Sequence, residues 1–181
     1  MEGLTDPSIR YSTSQLWRID VMGGAKKQIP MKVDGVQPSW SPNGKRIAFW
    51  GLPEGTGKRV LYTMPAEGGE ATPLNDDNFF NWNPVWSPDG EYLYFASDRG
   101  GSMNLWRRPI DEETGKPLGE PEPVTSGGQW NGQLSISKTG AIVYAAVDTS
   151  SHLERYSLDE ATGRIAGPPI PILGSSREIW T

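Results

Sequence analysis

The stretch from Asn81 to Gly101, NWNPVWSPDGEYLYFASDRGG, decides how the rest of the chain is read. It holds Trp82 and Trp86, a Pro-Asp-Gly turn at Pro88–Gly90 and an aromatic run from Tyr92. Its Ser, Asp and Arg residues are candidates for chemistry if the segment is unique, and punctuation if it recurs. It recurs: PSWSPNGKRIAFWG (Pro38–Gly51) and LSISKTGAIVYAAV (Leu134–Val147) align with PVWSPDGEYLYFAS (Pro84–Ser97). The alignment puts Gly44, Gly90 and Gly140 in register, 46 and 50 residues apart. A second run follows each copy: VLYTMP from Val60, NLWRRPI from Asn104 and HLERYSL from His152. Each unit then closes on a short apolar end, TPL, EPVT or IPIL.

A period of 46 to 50 residues with four short strands per unit is the signature of a β-propeller blade. We label the strands of a blade a to d from the channel outward. Strand a ends at SW, VW or SI, a tight turn follows, and RIAFW, YLYFA or AIVYA is strand b. In the turn, Pro42 and Pro88 preset φ, Asn43 and Asp89 bond back to the backbone, and the glycines supply positive φ. The third copy keeps Gly140 and lacks the proline, so the glycine is the more necessary part. The front segment from Ser8 reads as strands b, c and d, with Ile9 and Tyr11 in b and Leu16-Trp17 matching Leu105-Trp106. The end, SSREIWT, reads as the start of another strand a, with Trp82, Trp130 and Trp180 spaced 48 and 50 apart. The expectation is an all-β propeller of about four blade equivalents of antiparallel strands, three complete (36–75, 82–125, 130–173) and one split between 8–30 and 178–181. Such a chain closes alone, pairs with a second copy into an eight-bladed ring as a homodimer, or is part of a larger propeller.

Composition narrows the function. The net charge of −5 leaves no basic stripe for nucleic acid. There is no Cys, which excludes disulfides, thiolate metal sites and Cys nucleophiles, and the single His152 excludes multi-His zinc sites. No apolar run is long enough for membrane insertion by a helix, and the first residues show no signal-peptide pattern.

The residues Pro84–Gly90, Leu93–Ser97 and Asp98–Trp106 resemble the repeat of the TolB-type, WD-repeat-like propellers, P-x-W-S-P-D-G, then a strand like IAFxS, then DRxGxxxLW. Pro38–Gly44 matches with Asn43 in place of Asp, and the third copy is degenerate. The resemblance implies a propeller used in periplasmic interaction proteins, sensors or non-catalytic domains of peptidases, and so an extracytoplasmic setting. Fold of this kind does not fix function.

Candidate chemistry is sparse. GLPEGTGKR from Gly51 lacks the spacing and the hydroxyl of a phosphate loop and precedes a strand, so it reads as a b–c loop. SPDG is one residue short of the Asp box of sialidase-type propellers. A triad at His152 with Ser150, Ser151 and Asp148 has no strained nucleophile turn. Asp76, Asp77, Asn78 and Asp98 form no calcium loop. No cofactor or metal is expected.

The aromatic series is the remaining signal. In a propeller the d–a and b–c connections share one face, and the a–b turns and c–d loops share the other. Phe79, Phe80, Trp82, Asn83, Trp130, Asn131 and Trp180 should therefore gather with Asp98 and Arg99. Aromatic rings beside Asn and Arg suit recognition of a protein or peptide; packing between blades is the first reading of each Trp, and Phe79 and Phe80, in a loop before the strand, are the better mark of an exposed contact. The leading expectation is a non-enzymatic binding module. The alternatives are the propeller of a peptidase or polysaccharide-degrading enzyme, and catalysis by paired carboxylates in the channel.

Overall fold

The computed structural model describes residues 14–53, 56–127, 130–147 and 151–175. They are all β, with every sheet antiparallel. The elements are β1 (Trp17–Arg18), β2 (Lys27–Gln28), β3 (Val36–Trp40), β4 (Arg46–Gly51), β5 (Val60–Pro65), β6 (Thr72–Pro73) and β7 (Asn81–Trp86). They continue as β8 (Tyr92–Ser97), β9 (Asn104–Pro109), β10 (Glu122–Pro123), β11 (Trp130–Ile136), β12 (Ile142–Val147), β13 (Ser151–Arg155) and β14 (Ile170–Ser175). Two complete four-stranded blades form in chain order, β3-β4-β5-β6 and β7-β8-β9-β10.

The turns are built as their residues require. Gly44, Gly90 and Gly140 take φ of 72°, 77° and 85°. Their amides donate to the carbonyls of Ser41, Ser87 and Ser137 at 2.9, 3.1 and 3.0 Å. The amides of Lys45 and Glu91 donate to Asn43 Oδ1 (2.9 Å) and Asp89 Oδ1 (3.0 Å). The serines, present in all three copies, add a bond of their own: Arg46, Tyr92 and Ala141 each donate a backbone N–H to a Ser Oγ.

Strands b and c of the first two blades are buried on both faces, because each of these blades packs between two neighbours. Ile47, Phe49, Tyr62 and Met64 face the β1–β2 hairpin, where Leu16 and Ile29 close the first core. Ala48 and Leu61, on the opposite face, meet Trp86, Leu93 and Phe95 of the next blade. Ala96 and Leu105 in turn meet Leu134 of the third unit. The alternation along IAF and LYFA thus sorts side chains between successive cores.

The connections segregate as the topology demands. Asn81 pairs with Ser97 at one end of the second blade. At the other end the Asp111–Lys116 turn of that blade reaches the a–b turn of the first. Asn43 N–H donates to Glu112 Oε1 (2.7 Å), and Thr63 Oγ1 donates to the Gly115 carbonyl (2.8 Å). A second copy of this turn, Asp159–Arg164, has the same closing bonds, Gly115 to Asp111 and Gly163 to Asp159, both 2.7 Å. The pair DEETGK and DEATGR is legible in the sequence and extends the repeat.

The third unit differs from the expected single four-stranded blade. Among the described residues it forms two separate hairpins, β11–β12 and β13–β14. Nothing described covers its outer face, so Val143, Leu153 and Ile172 are exposed. The apolar burial that locks b to c in the first two blades is missing there. Ile9, Tyr11 and Trp180 lie outside the described residues.

Candidate functional site around the strand a bulges

Each strand a carries a bulge. The pairing register shifts between Val36 and Ser39, between Trp82 and Val85, and between Gly132 and Ser135. At these points Gln37, Asn83 and Gln133 adopt φ of 52°, 47° and 54°. Left-handed backbone is uncommon outside glycine and costs free energy, about 1–2 kcal/mol per residue. All three side chains are primary amides, and each stands seven residues before its turn glycine. Gln37 and Gln133 are marked in the sequence only by their common offset from the glycine.

The bulges place amides and indoles together. Gln37, Asn83 and Gln133 line one small cleft with Trp82, Trp130 and Gly132. Its enclosed part has room for about one water. Gln37 Oε1 accepts from Trp50 Nε1 (2.7 Å) and from the Asn83 backbone N–H (3.2 Å), tying the first two blades together. Trp82 Nε1 and Asn83 Oδ1 are buried and have no partner within the described chain.

Trp82 and Trp130 both reach this cleft, by different routes. Counted from the turn glycines, Gly132 corresponds to Trp82, and Trp130 corresponds to Phe80. The spacing of 48 between the two indoles is therefore not the repeat itself. Side chains two apart share a strand face, so Trp130 lies over Gly132 instead. A β-carbon on Gly132 would stand 2.6 Å from Trp130 Cη2.

Phe79 and Phe80 are exposed, at 42% and 49%. Beside them the guanidinium of Arg59, at the end of the b–c loop of the first blade, lies 3.8 Å from the Trp82 ring centre. It lies 5.2 Å from Phe80 and 5.3 Å from Trp50. Burial lowers its pKa from the ordinary value. Nothing in the sequence of this loop marks Arg59 as part of a site.

Asp98, Arg99 and Asn131 lie at the same end and are engaged within the fold. Phe80 N–H donates to Asp98 Oδ1 at 2.9 Å. Arg99 donates to Asp77 Oδ2 (3.1 Å), Asn81 Oδ1 (3.0 Å) and Ser97 Oγ (3.1 Å). Burial lowers the Arg99 pKa, and Asp77 opposes that shift. Asn81 is fully buried and donates to Asp77 Oδ1 and to the Phe79 carbonyl. Asn131, its counterpart in the third unit, donates to Asn104 Oδ1 at 3.0 Å. These groups brace the loops that present Phe79, Phe80 and Trp82. Among the described residues no cluster of three or more His, Asp or Glu could hold a metal. Asp148 and Ser150 lie outside the described residues.

Radially stacked antiparallel blades with bulged inner strands define a β-propeller. The chain belongs to the TolB beta propeller domain family (PD40), which matches residues 7–165. It is 28% identical over 103 residues to an uncharacterized protein of Agrobacterium fabrum, covering 57% of this chain and 34% of that protein. It is 34% identical over 102 residues to YuxL, an uncharacterized peptidase of Bacillus subtilis, covering 56% of this chain and 15% of that one. The matched part thus spans about a third or less of these relatives. A solved structure of a TolB candidate from Agrobacterium tumefaciens superposes with a TM-score of 0.65 at 22% identity, over 92% of this chain and 60% of the other. That likeness shows the fold.

Proposed function

We propose that the chain is a non-enzymatic propeller module that captures a protein or peptide on the face carrying its d–a and b–c connections. The observation that carries this reading is the pair Phe79 and Phe80, exposed on braced loops beside the amide-lined cleft. Apolar rings at a polar rim are the composition of a recognition patch. Three strained amide residues converging there support the same reading. The second reading, the non-catalytic propeller of a peptidase, is favoured by the match to YuxL and is compatible with the first.

Display of a random peptide library on the purified chain tests this. Peptides enriched on the wild type should lose binding to a Phe79→Ala/Phe80→Ala variant whose circular dichroism is unchanged. Enrichment that the double variant retains would overturn the assignment of this face.

A further inference from the structure

Resting on that reading, we infer that Arg59 is an anion subsite of the binding face and takes a carboxylate of a bound peptide. Three aromatic rings meet its guanidinium. Such contacts offset the charge, but they accept none of the N–H groups. Among the described residues, no side-chain or backbone acceptor receives a hydrogen bond from Arg59, and no carboxylate lies within 4.0 Å of it. The other partly buried arginines differ. Arg46 donates to Thr63, Arg99 to Asp77 and Asn81, and Arg108 to the Gly119 and Leu74 carbonyls.

The neighbouring acids are committed elsewhere. Asp77 is held by Arg99, Asp98 by the Phe80 amide, and Asp76 stands 3.9 Å from Lys58. A partly desolvated guanidinium without acceptors is unfavourable, and its fork of N–H groups matches a carboxylate. The surroundings select a peptide over a simple anion. Phe79 and Phe80 offer apolar contact on one side. The unpartnered Asn83 Oδ1 lines the adjoining cleft, where it suits a backbone N–H. The net charge of −5 disfavours a polyanion, leaving a single carboxylate as the fitting charge.

The test follows the Arg59 Nε–H resonance by NMR, assigned with Arg59→Lys, during titration with three dipeptides. Acetyl-Phe-Glu-amide carries a side-chain carboxylate, acetyl-Phe-Gln a terminal one, and acetyl-Phe-Gln-amide none. We expect at least one of the first two to move the resonance and to bind about tenfold more tightly than the third. Which of them does so identifies the source of the carboxylate. Arg59→Gln should remove that advantage, and Arg59→Lys, which keeps the charge but not the fork, should retain only part of it. Equal binding of all three peptides through Phe79 and Phe80 would overturn the Arg59 subsite and leave the face intact. No binding by either carboxylate peptide would also overturn it. A resonance that moves in Glu54→Gln but with no peptide would assign Arg59 an internal partner and overturn it as well.

Discussion

The indole of Trp130 lies over the α-carbon of Gly132, 2.6 Å from where a β-carbon on that glycine would stand. It borders the cleft that Trp82 reaches directly from its own bulge. A ring from two residues upstream thus lines the cleft where the glycine has no side chain, so Gly132→Ala has to displace the ring. We expect a loss of about 1–3 kcal/mol in urea unfolding, the usual cost of overpacking, with a red shift in tryptophan emission. Unchanged stability and emission would show that Trp130 is not seated there.

The lock between the first two blades should be sensitive at Gly115. This residue has φ of 70°, and a β-carbon would stand 2.2 Å from Arg46 Nε and 2.3 Å from Thr63 Oγ1. Gly115→Ala combines strain with a clash, and we expect a loss of about 2–4 kcal/mol by chemical denaturation. Thr63→Val, which removes the bond to the Gly115 carbonyl and the one accepted from Arg46 without adding a clash, should cost about 1–3 kcal/mol.

Removing Arg99 should be worse than removing any exposed charge. Its side chain is 11% exposed and holds Asp77 and Asn81 together. Arg99→Met leaves Asn81 Oδ1 buried and Asp77 Oδ2 half-buried without this partner, and we expect a loss of about 2–3 kcal/mol. By contrast, Lys45→Met breaks only the exposed pair with Glu113 and should cost under about 1 kcal/mol. Similar values for the two variants would contradict this account of the loop brace.

Acid should destabilise the fold through its turns. Ser87 and the Glu91 amide lower the Asp89 pKa, and bonds to Thr114 and Glu113 lower that of Asp111. Asp159 is lowered by Thr162, and Glu67 by Arg18. A lowered folded-state pKa contributes stability that is present above the unfolded value and lost as pH falls through the folded one. Thermal midpoints should be flat near neutrality and fall below about pH 4. Asp89→Asn combined with Asp111→Asn should flatten that fall.

The uncovered face of the third unit should drive association. Val143 on the β11–β12 hairpin and Leu153 and Ile172 on the β13–β14 hairpin are exposed, with no further blade beyond them among the described residues. Light scattering of the isolated chain should give more than one chain per particle, with two as the mass of an eight-bladed ring. Val143→Glu with Leu153→Glu should return it to one chain; a wild type that is already monomeric would refute the prediction.

The propeller class, the strand positions and the turns were legible in the sequence because local rules set them. The turn at Ser87–Gly90 joins a proline, a side-chain acceptor and a positive-φ glycine in consecutive places, and the two-residue period of YLYFA fixes the strand. The gathering of Phe79, Phe80 and Trp82 with Asp98 and Arg99 at one end also followed from topology. What the tertiary structure alone decided is what each of those side chains does there. Arg99 and Asn131 read alike with Trp82 as surface candidates, yet the fold turns both inward to brace loops. Arg59 read as part of a connecting loop, yet a blade junction sets it against rings from Trp50, Phe80 and Trp82. The reason is physical: turn and strand preferences act within a few residues, whereas the choice of partner depends on groups 20 or more positions apart that meet only when strands pair within a blade or blades stack.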